Sequence, residues 1–332
     1  MSTEPTPIVL SRDCLQVDVA RQIKAGSLQR IRRGAYAVIS SDESLLAHCH
    51  QTTLAHIRAV DEQLVATHVF SHASAALLWG LQLWEAPEVT HVRQAARASS
   101  RHARDIARHI GLPEQHVLLD GIPTTTLAQT VIDCLLTMPP LAGLCVADSA
   151  LKRGLTCEDA LADLTSRGSC NGVRRAATVL SLADGGADNC WETWLRYFCL
   201  RLGLPKPVTQ FRVNTFAGLF YVDLAWPEHK VLLEFDGKVK YADGAFDARY
   251  RGVEALVREK RREDAIVETL KVRPLRVMAS HANNPVTLAR RILDSFPAHI
   301  RKTARIRPDL PLPRRTGRQF YVDSAVQSAE ST

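Results

Sequence analysis

From Val222 to Lys238 the sequence reads VDLAWPEHKVLLEFDGK, and apolar and polar positions alternate with a period of two on either side of a Pro-Glu-His-Lys break. Period two predicts strands, and a four-residue frame from Pro227 to Lys230 makes them an antiparallel hairpin in which Trp226 faces Val231 and Asp223 faces Glu234. Val222, Leu224, Trp226, Val231, Leu233 and Phe235 then share one face, and Asp223, Glu234, Asp236 and Lys238 share the other. Ahead of the hairpin, CWETWLRYFCLRLGL carries Trp191, Trp194, Leu195, Phe198 and Cys199 at helical spacing and stops at Gly203. Behind it come a long helix over GVEALVREKRREDAIVETL, a short strand PLRVMA and a last helix over PVTLARRILDSF.

The first 180 residues carry weaker patterning. A short helix over 15–25 closes at Gly26, and SLQRIRRGAYAVIS follows as a hairpin with Leu28, Ile31, Tyr36 and Val38 inward and Arg30, Arg32 and Arg33 outward. A helix followed by a basic wing is the arrangement of a winged helix on duplex DNA, although an ordinary solvated face has the same pattern. Helices are expected over 42–60, from Ser71, within GIPTTTLAQTVIDCLL and within LAGLCVADSALKRG, with one short strand in VTHVRQ. The polar, glycine-bearing SLADGGADN marks a boundary. The domain reading is a tail over 1–11, a winged-helix region over 12–40, a mostly helical region over 41–180, a linker over 181–190, an α/β unit over 191–303 and a disordered tail over 304–332.

At 332 residues the chain is long enough for two or three cooperative units, and with 46% apolar and 23% charged residues it reads as folded. A formal charge of +7 favours a polyanionic partner. The eight cysteines never approach CxxC spacing and read as small buried hydrophobes of a reducing compartment. No targeting segment and no run of about 18 apolar residues is present, so the expected location is cytoplasmic, without a membrane partner. His72, His91, His102 and His109 share no repeated ligand spacing, so no metal is expected there.

Like charges opposed on a sheet destabilise it unless something lies between them. A hard divalent cation meets that need for Asp223, Glu234 and Asp236, with Glu192 on the preceding helix reaching the same ion. Acids that simply face water, with Lys238 or Lys240 as partners, are the competing explanation. Arg258, Arg261 and Arg262 are spaced to share one helix face and grip phosphates.

The acidic helix residue, the DLAWP and EFDG hairpin and the EKRREDAIVETLKVRPLRV helix and strand together resemble the DUF559 group of the PD-(D/E)xK nuclease superfamily, close to the very-short-patch-repair endonucleases. The resemblance spans residues 188–300 and implies a restriction-endonuclease-like mixed sheet flanked by helices. It implies metal-dependent DNA cleavage with Mg2+, or Mn2+ in its place, at Glu192, Asp223, Glu234 and Asp236. It places Lys260, Arg262 and Asp264 on the basic-acidic helix and Arg276 on the strand, where the arginines would meet nucleic acid. If Glu234 is the second acid of the motif, Asp236 stands where its lysine is usual; an alternative register uses Asp236 with Lys238, and Lys238, Lys240 or Lys260 is the candidate to activate water. IKAGSLQRIRRGAYAV, SHASAALLWGL and GIPTTTLAQTVIDCLL are similar to the AbiEi antitoxin type, which implies double-stranded DNA and a cognate toxin as partners; a homodimer would suit a palindromic duplex. The two functions carried forward are an endonuclease and an antitoxin-type transcriptional regulator with a catalytically degenerate nuclease-like unit.

Overall fold

The computed structural model describes residues 7–13, 16–39, 45–96, 104–236 and 248–313. Two compact units divide the chain between Gly185 and Gly186. Both are mixed α/β, and among the described residues no helix is long and apolar enough to cross a membrane.

The N-terminal unit opens with β1 (Ile8–Leu10), α1 (Gln16–Lys24), β2 (Gln29–Arg32) and β3 (Ala35–Ala37). The strands form a sheet of order β1-β3-β2, against which α2 (Leu45–Gln63) packs. Leu10, Ala35 and Ala59 close this small core, with Ile8 and Ile31 at its edge. The hairpin departs from strict alternation. Gln29 pairs with Ala37 and Arg30 with Tyr36, but Arg32 pairs with Ala35, so an extra residue is accommodated between Arg30 and Arg32. The extra residue in β2 reverses side-chain parity there and accompanies an inward Arg32, opposite to the expected pattern; on β3 the inward positions are Ala35 and Ala37 rather than Tyr36 and Val38, and Val38 is 55% exposed.

The region 41–180, expected to be mostly helical, contains a five-stranded sheet built from β4 (Val69–Phe70), β5 (Thr90–Gln94), β6 (Ile106–Ile110), β7 (His116–Leu119) and β8 (Ile122–Thr125). Its order is β6-β5-β4-β8-β7, with β5 parallel to β6 and β4 parallel to β8. β5 is the one short strand expected in VTHVRQ, its burial alternating along Thr90–Gln94, while the other strands are five residues or fewer and one has only two. After β4 runs α3 (His72–Leu78), and after β8 run α4 (Leu127–Thr137), α5 (Pro140–Lys152), α6 (Cys157–Ser166) and α7 (Val173–Ser181). Val131, Ile132, Leu135, Leu141, Leu144 and Val146 are buried where these helices meet.

The C-terminal unit runs α8 (Cys190–Arg201), β9 (Val208–Thr215), β10 (Gly218–Trp226), β11 (Val231–Phe235), α9 (Ala248–Leu270), β12 (Leu275–Val277), α10 (Pro285–Asp294) and α11 (Ala298–Thr303). The sheet order is β12-β11-β10-β9, and α9 carries the chain from β11 to its parallel neighbour β12. The β10–β11 register pairs Trp226 with Val231 and Leu224 with Leu233, as the hairpin frame predicts, and Lys230 closes the turn with φ 53°. Trp226, 1% exposed, donates its Nε1–H to Pro205 O at 2.8 Å and meets Phe296 edge-on. The sheet is covered on both faces rather than one. Leu232 packs with Ile266 of α9, while Phe235 stacks on Trp191 of α8, so the acids do not lie on a solvent face.

The tail expected to be disordered from residue 304 is ordered through residue 313, with Leu310 fully buried. Arg307 N–H donates to Arg201 O at 2.8 Å, and Arg201 Nη1 donates to Leu310 O at 2.5 Å. Gly203, at φ +75°, lies so close to the Arg305 backbone that a Cβ would collide with it. Tyr197 Oη donates to Pro311 O at 2.7 Å. Tyr197→Phe is expected to cost about 1 kcal/mol, read as a lower urea midpoint at unchanged slope.

Candidate functional site

Glu192 is placed by the start of α8. Asn189 caps the helix, its Oδ1 accepting from Trp191 N at 2.9 Å and Glu192 N at 3.1 Å. The Glu192 carboxylate turns back to accept from Asp188 N and Asn189 Nδ2, each at 2.7 Å, and from Gln210 Nε2 at 3.3 Å. This is a helix-capping carboxylate, and its oxygens are spent within the cap and on β9.

The β10–β11 ladder ends at the Leu224–Leu233 pair, and Asp223 lies just beyond it, tied to β11 through its side chain. Asp223 Oδ2 accepts from Phe235 N at 2.7 Å. Burial pushes the Asp223 carboxyl up to about 6; the Phe235 N–H opposes this, the Glu234 charge adds to it, Arg262 opposes it and Asp188 adds again. Glu234, 6% exposed, is claimed by Arg262, whose Nη2 lies 2.6 Å from Oε1 and whose Nη1 lies 3.5 Å from Oε2. The same guanidinium reaches Glu259 at 3.1 Å and Tyr221 O at 2.7 Å. Arg276 continues the network, bonding Glu259 and lying 3.8 Å from Glu234, 3.8 Å from Asp236 and 3.6 Å from Glu263. Pairing with these carboxylates more than reverses the burial cost on both guanidiniums and raises their pKa values.

Among the described residues, Asp223, Glu234 and Asp236 do not form a group of three whose ligand atoms all lie close enough to share an ion; Glu234 is paired with Arg262, and Asp236 lies 3.8 Å from Arg276. Arg262 turns inward while Arg258, Lys260 and Arg261 stay exposed, so the three arginines expected on one face of α9 are divided between two tasks. Arg276 serves the carboxylates too. Lys238 and Lys240 lie outside the described residues.

On the N-terminal hairpin Arg30 and Arg33 are exposed, as are Arg21 and Lys24 of α1. Arg32, expected to point outward with them, instead donates to Asp105 at 2.9 and 3.4 Å. His56 joins that pair through Nε2 at 3.0 Å from Asp105, with Nδ1 2.7 Å from Thr90 Oγ1.

A second cluster lies in the N-terminal unit where none was expected. His72, at the start of α3, His91 on β5 and His109 on β6 each bring a ring nitrogen within 4.8 Å of the other two. This is the group of three His, Cys, Asp or Glu residues among the described residues that could hold a metal ion. His91 Nδ1 lies 3.0 Å from His109 Nε2, and His72 stacks on His109 with ring centroids 3.8 Å apart. Burial lowers the His72 pKa to about 2, helped by His109, His91, Arg93 and Arg167, and burial and His109 lower that of His91 to about 4. Burial and Arg93 lower His109 as well, so the imidazoles are neutral and carry lone pairs at neutral pH. Beside them Asp133, 2% exposed, takes Arg93 at 2.7 Å and Arg167 at 3.1 Å. Intervals of 19 and 18 residues hide the cluster from motif spacing; the parallel β5–β6 register, Arg93 beside His109, brings it together.

No protein-family model matches the chain. Two Mycobacterium tuberculosis proteins, uncharacterized protein MT2308 (strain CDC 1551 / Oshkosh) and uncharacterized protein Rv2248 (strain ATCC 25618 / H37Rv), are each 26% identical over 227 residues, 67% of this chain and 77% of theirs. The crystal structure of the RV2827C protein from Mycobacterium tuberculosis aligns with a TM-score of 0.33 at 14% identity, over 54% of this chain and 72% of that one.

Proposed function

We propose that the chain is a DNA-binding regulator of the antitoxin type, whose nuclease-like C-terminal unit holds phosphodiesters without hydrolysing them. The observation that carries this reading is the Arg262–Glu234 pair, 2.6 Å at its shortest, which neutralises the carboxylate a hydrolytic cation would need. Mg2+ and Mn2+ do not fit the carboxylates as arranged, and no step is routed through them. Double-stranded DNA would meet Arg30 and Arg33 of the hairpin in one unit and Arg258, Lys260 and Arg261 in the other, all of them exposed. The antitoxin role brings a cognate toxin as protein partner and suits a homodimer on a palindromic duplex.

A second reading, a Mg2+-dependent endodeoxyribonuclease using Asp223, Glu234, Asp236 and Glu192, is favoured by one observation. Asp223 is drawn up to about 6 by burial beside Glu234, and carboxylates perturbed in this way concentrate at functional sites. One experiment separates the two. The full chain is incubated with duplex, single-stranded and mismatched DNA, with Mg2+ or Mn2+. The regulator reading expects salt-sensitive duplex binding, weakened about 10-fold or more by Arg30→Ala with Arg33→Ala, and no strand scission. Scission abolished by Asp223→Asn and by Glu234→Gln would replace it with the nuclease. Absence of duplex binding at low salt would remove the regulator.

A further inference from the structure

The His72, His91 and His109 cluster is independent of the C-terminal carboxylates and of either reading above. We propose that these three imidazoles form a site for one transition-metal ion of the Zn2+ class, with an open coordination position facing an arginine-lined cavity. A tetrahedral ion with metal–nitrogen bonds of about 2.0–2.1 Å holds its ligand nitrogens about 3.3 Å apart. His91 Nδ1 and His109 Nε2, 3.0 Å apart, are already close to that separation. The single proton shared between them need not leave the protein: it moves to the other nitrogen of its own ring when both lone pairs turn to the ion. His72 Nδ1 lies 2.9 Å from Ser71 Oγ and 3.8 Å from Asp133 Oδ2, which leaves Nε2 to face the ion. A carboxylate behind a ligating histidine is the usual means of fixing its tautomer.

The three rings lie within 22° of parallel, so capture requires each to turn about χ2 until its lone pair points inward. The ligand set selects the metal class. Three neutral nitrogens suit Zn2+, Co2+ or Ni2+, and a hard ion such as Mg2+ takes oxygen donors instead. A cavity of about 390 Å³ opens beside the cluster, lined by His72, His109, Arg93, Arg108, Arg167 and Asp133. Arg108 Nη1 is buried there without a hydrogen-bond partner. Three guanidiniums against one carboxylate favour water or an anionic oxygen at the open position.

An untagged full-length chain, stripped by chelator and reloaded with Zn2+ or Co2+, tests the proposal. One ion per chain should survive desalting, Co2+ should give the visible bands of a four-coordinate site, and Zn2+ should raise the wild-type Tm. His91→Gln and His109→Gln, made separately and checked for native circular dichroism, should each weaken binding about 100-fold or more. Asp223→Asn should leave the metal content unchanged, which keeps this site apart from the C-terminal acids. Substoichiometric metal, a Tm indifferent to Zn2+, or full loading retained in both histidine variants would overturn the proposal.

Discussion

Arg262→Ala is expected to destabilise the C-terminal unit by about 3 kcal/mol. Glu234 is only 6% exposed, and both of its oxygens lean on this guanidinium. Removing one partner of a buried pair leaves an unsolvated charge, typically costing about 3–5 kcal/mol. Two features pull the value toward the lower end: the Arg262 side chain is 23% exposed, and Arg276 remains 3.8 Å from Glu234. Arg262→Lys should recover only part of the loss, since an ammonium cannot reach Glu234, Glu259 and Tyr221 O from one planar fork. Glu234→Leu combined with Arg262→Met should lie much nearer wild type than either single loss, because both desolvation costs disappear together. Urea unfolding of the four proteins gives the answer; a change below about 0.5 kcal/mol for Arg262→Ala would mean that the pair does not hold Glu234.

The same substitution bears on function. If the guanidinium is what keeps an ion from the carboxylates, Arg262→Ala gains a dependence of stability on Mg2+ that the wild type lacks. The arginine thereby acts as an internal counter-cation. It offsets the repulsion between the neighbouring Asp223 and Glu234 carboxylates, and it comes from the helix expected to grip phosphate.

How much of this was legible follows from where each interaction is encoded. The hairpin register was readable because period two and a four-residue turn fix which residues face each other, and Trp226 does face Val231. The helix α8 was readable from its apolar stripe and from the glycine after it. The bulge at Arg30–Arg32 was not, since one inserted residue changes no composition yet reverses which arginine meets solvent. Docking of residues 304–313 was hidden because a single buried leucine, Leu310, stands in an arginine- and proline-bearing stretch, and most of the remaining contacts are to backbone groups and to the missing Cβ of Gly203. The histidine cluster depends on two strands being parallel neighbours, and the pairing of Glu234 with Arg262 joins residues 28 positions apart; both are non-local facts.

Asp223→Asn is expected to stabilise the protein at neutral and alkaline pH. In the folded chain the Asp223 carboxyl titrates near 6, against an ordinary value of 3.8. Below about pH 4 both states hold the proton and the residue contributes no difference. Between about 4 and 6 the folded state keeps a proton that the unfolded chain has released, so stability falls as pH rises; above 6 the whole cost of the buried anion is present. A shift of roughly two units corresponds to about 3 kcal/mol at most, of which local rearrangement recovers part. Asparagine keeps an oxygen for Phe235 N–H, now 2.7 Å from Asp223 Oδ2, and carries no charge against Glu234. In chelator-treated buffer, the variant should therefore match wild type near pH 4 and exceed it by about 2 kcal/mol at pH 8. The groups with depressed pKa values, Asp105 and Asp309, act with the opposite sign but equally in both proteins, so they cancel in the difference. A difference that stays flat across that range would place Asp223 in water rather than in the interior. A difference that rises with pH identifies a buried carboxylate whose anion costs stability.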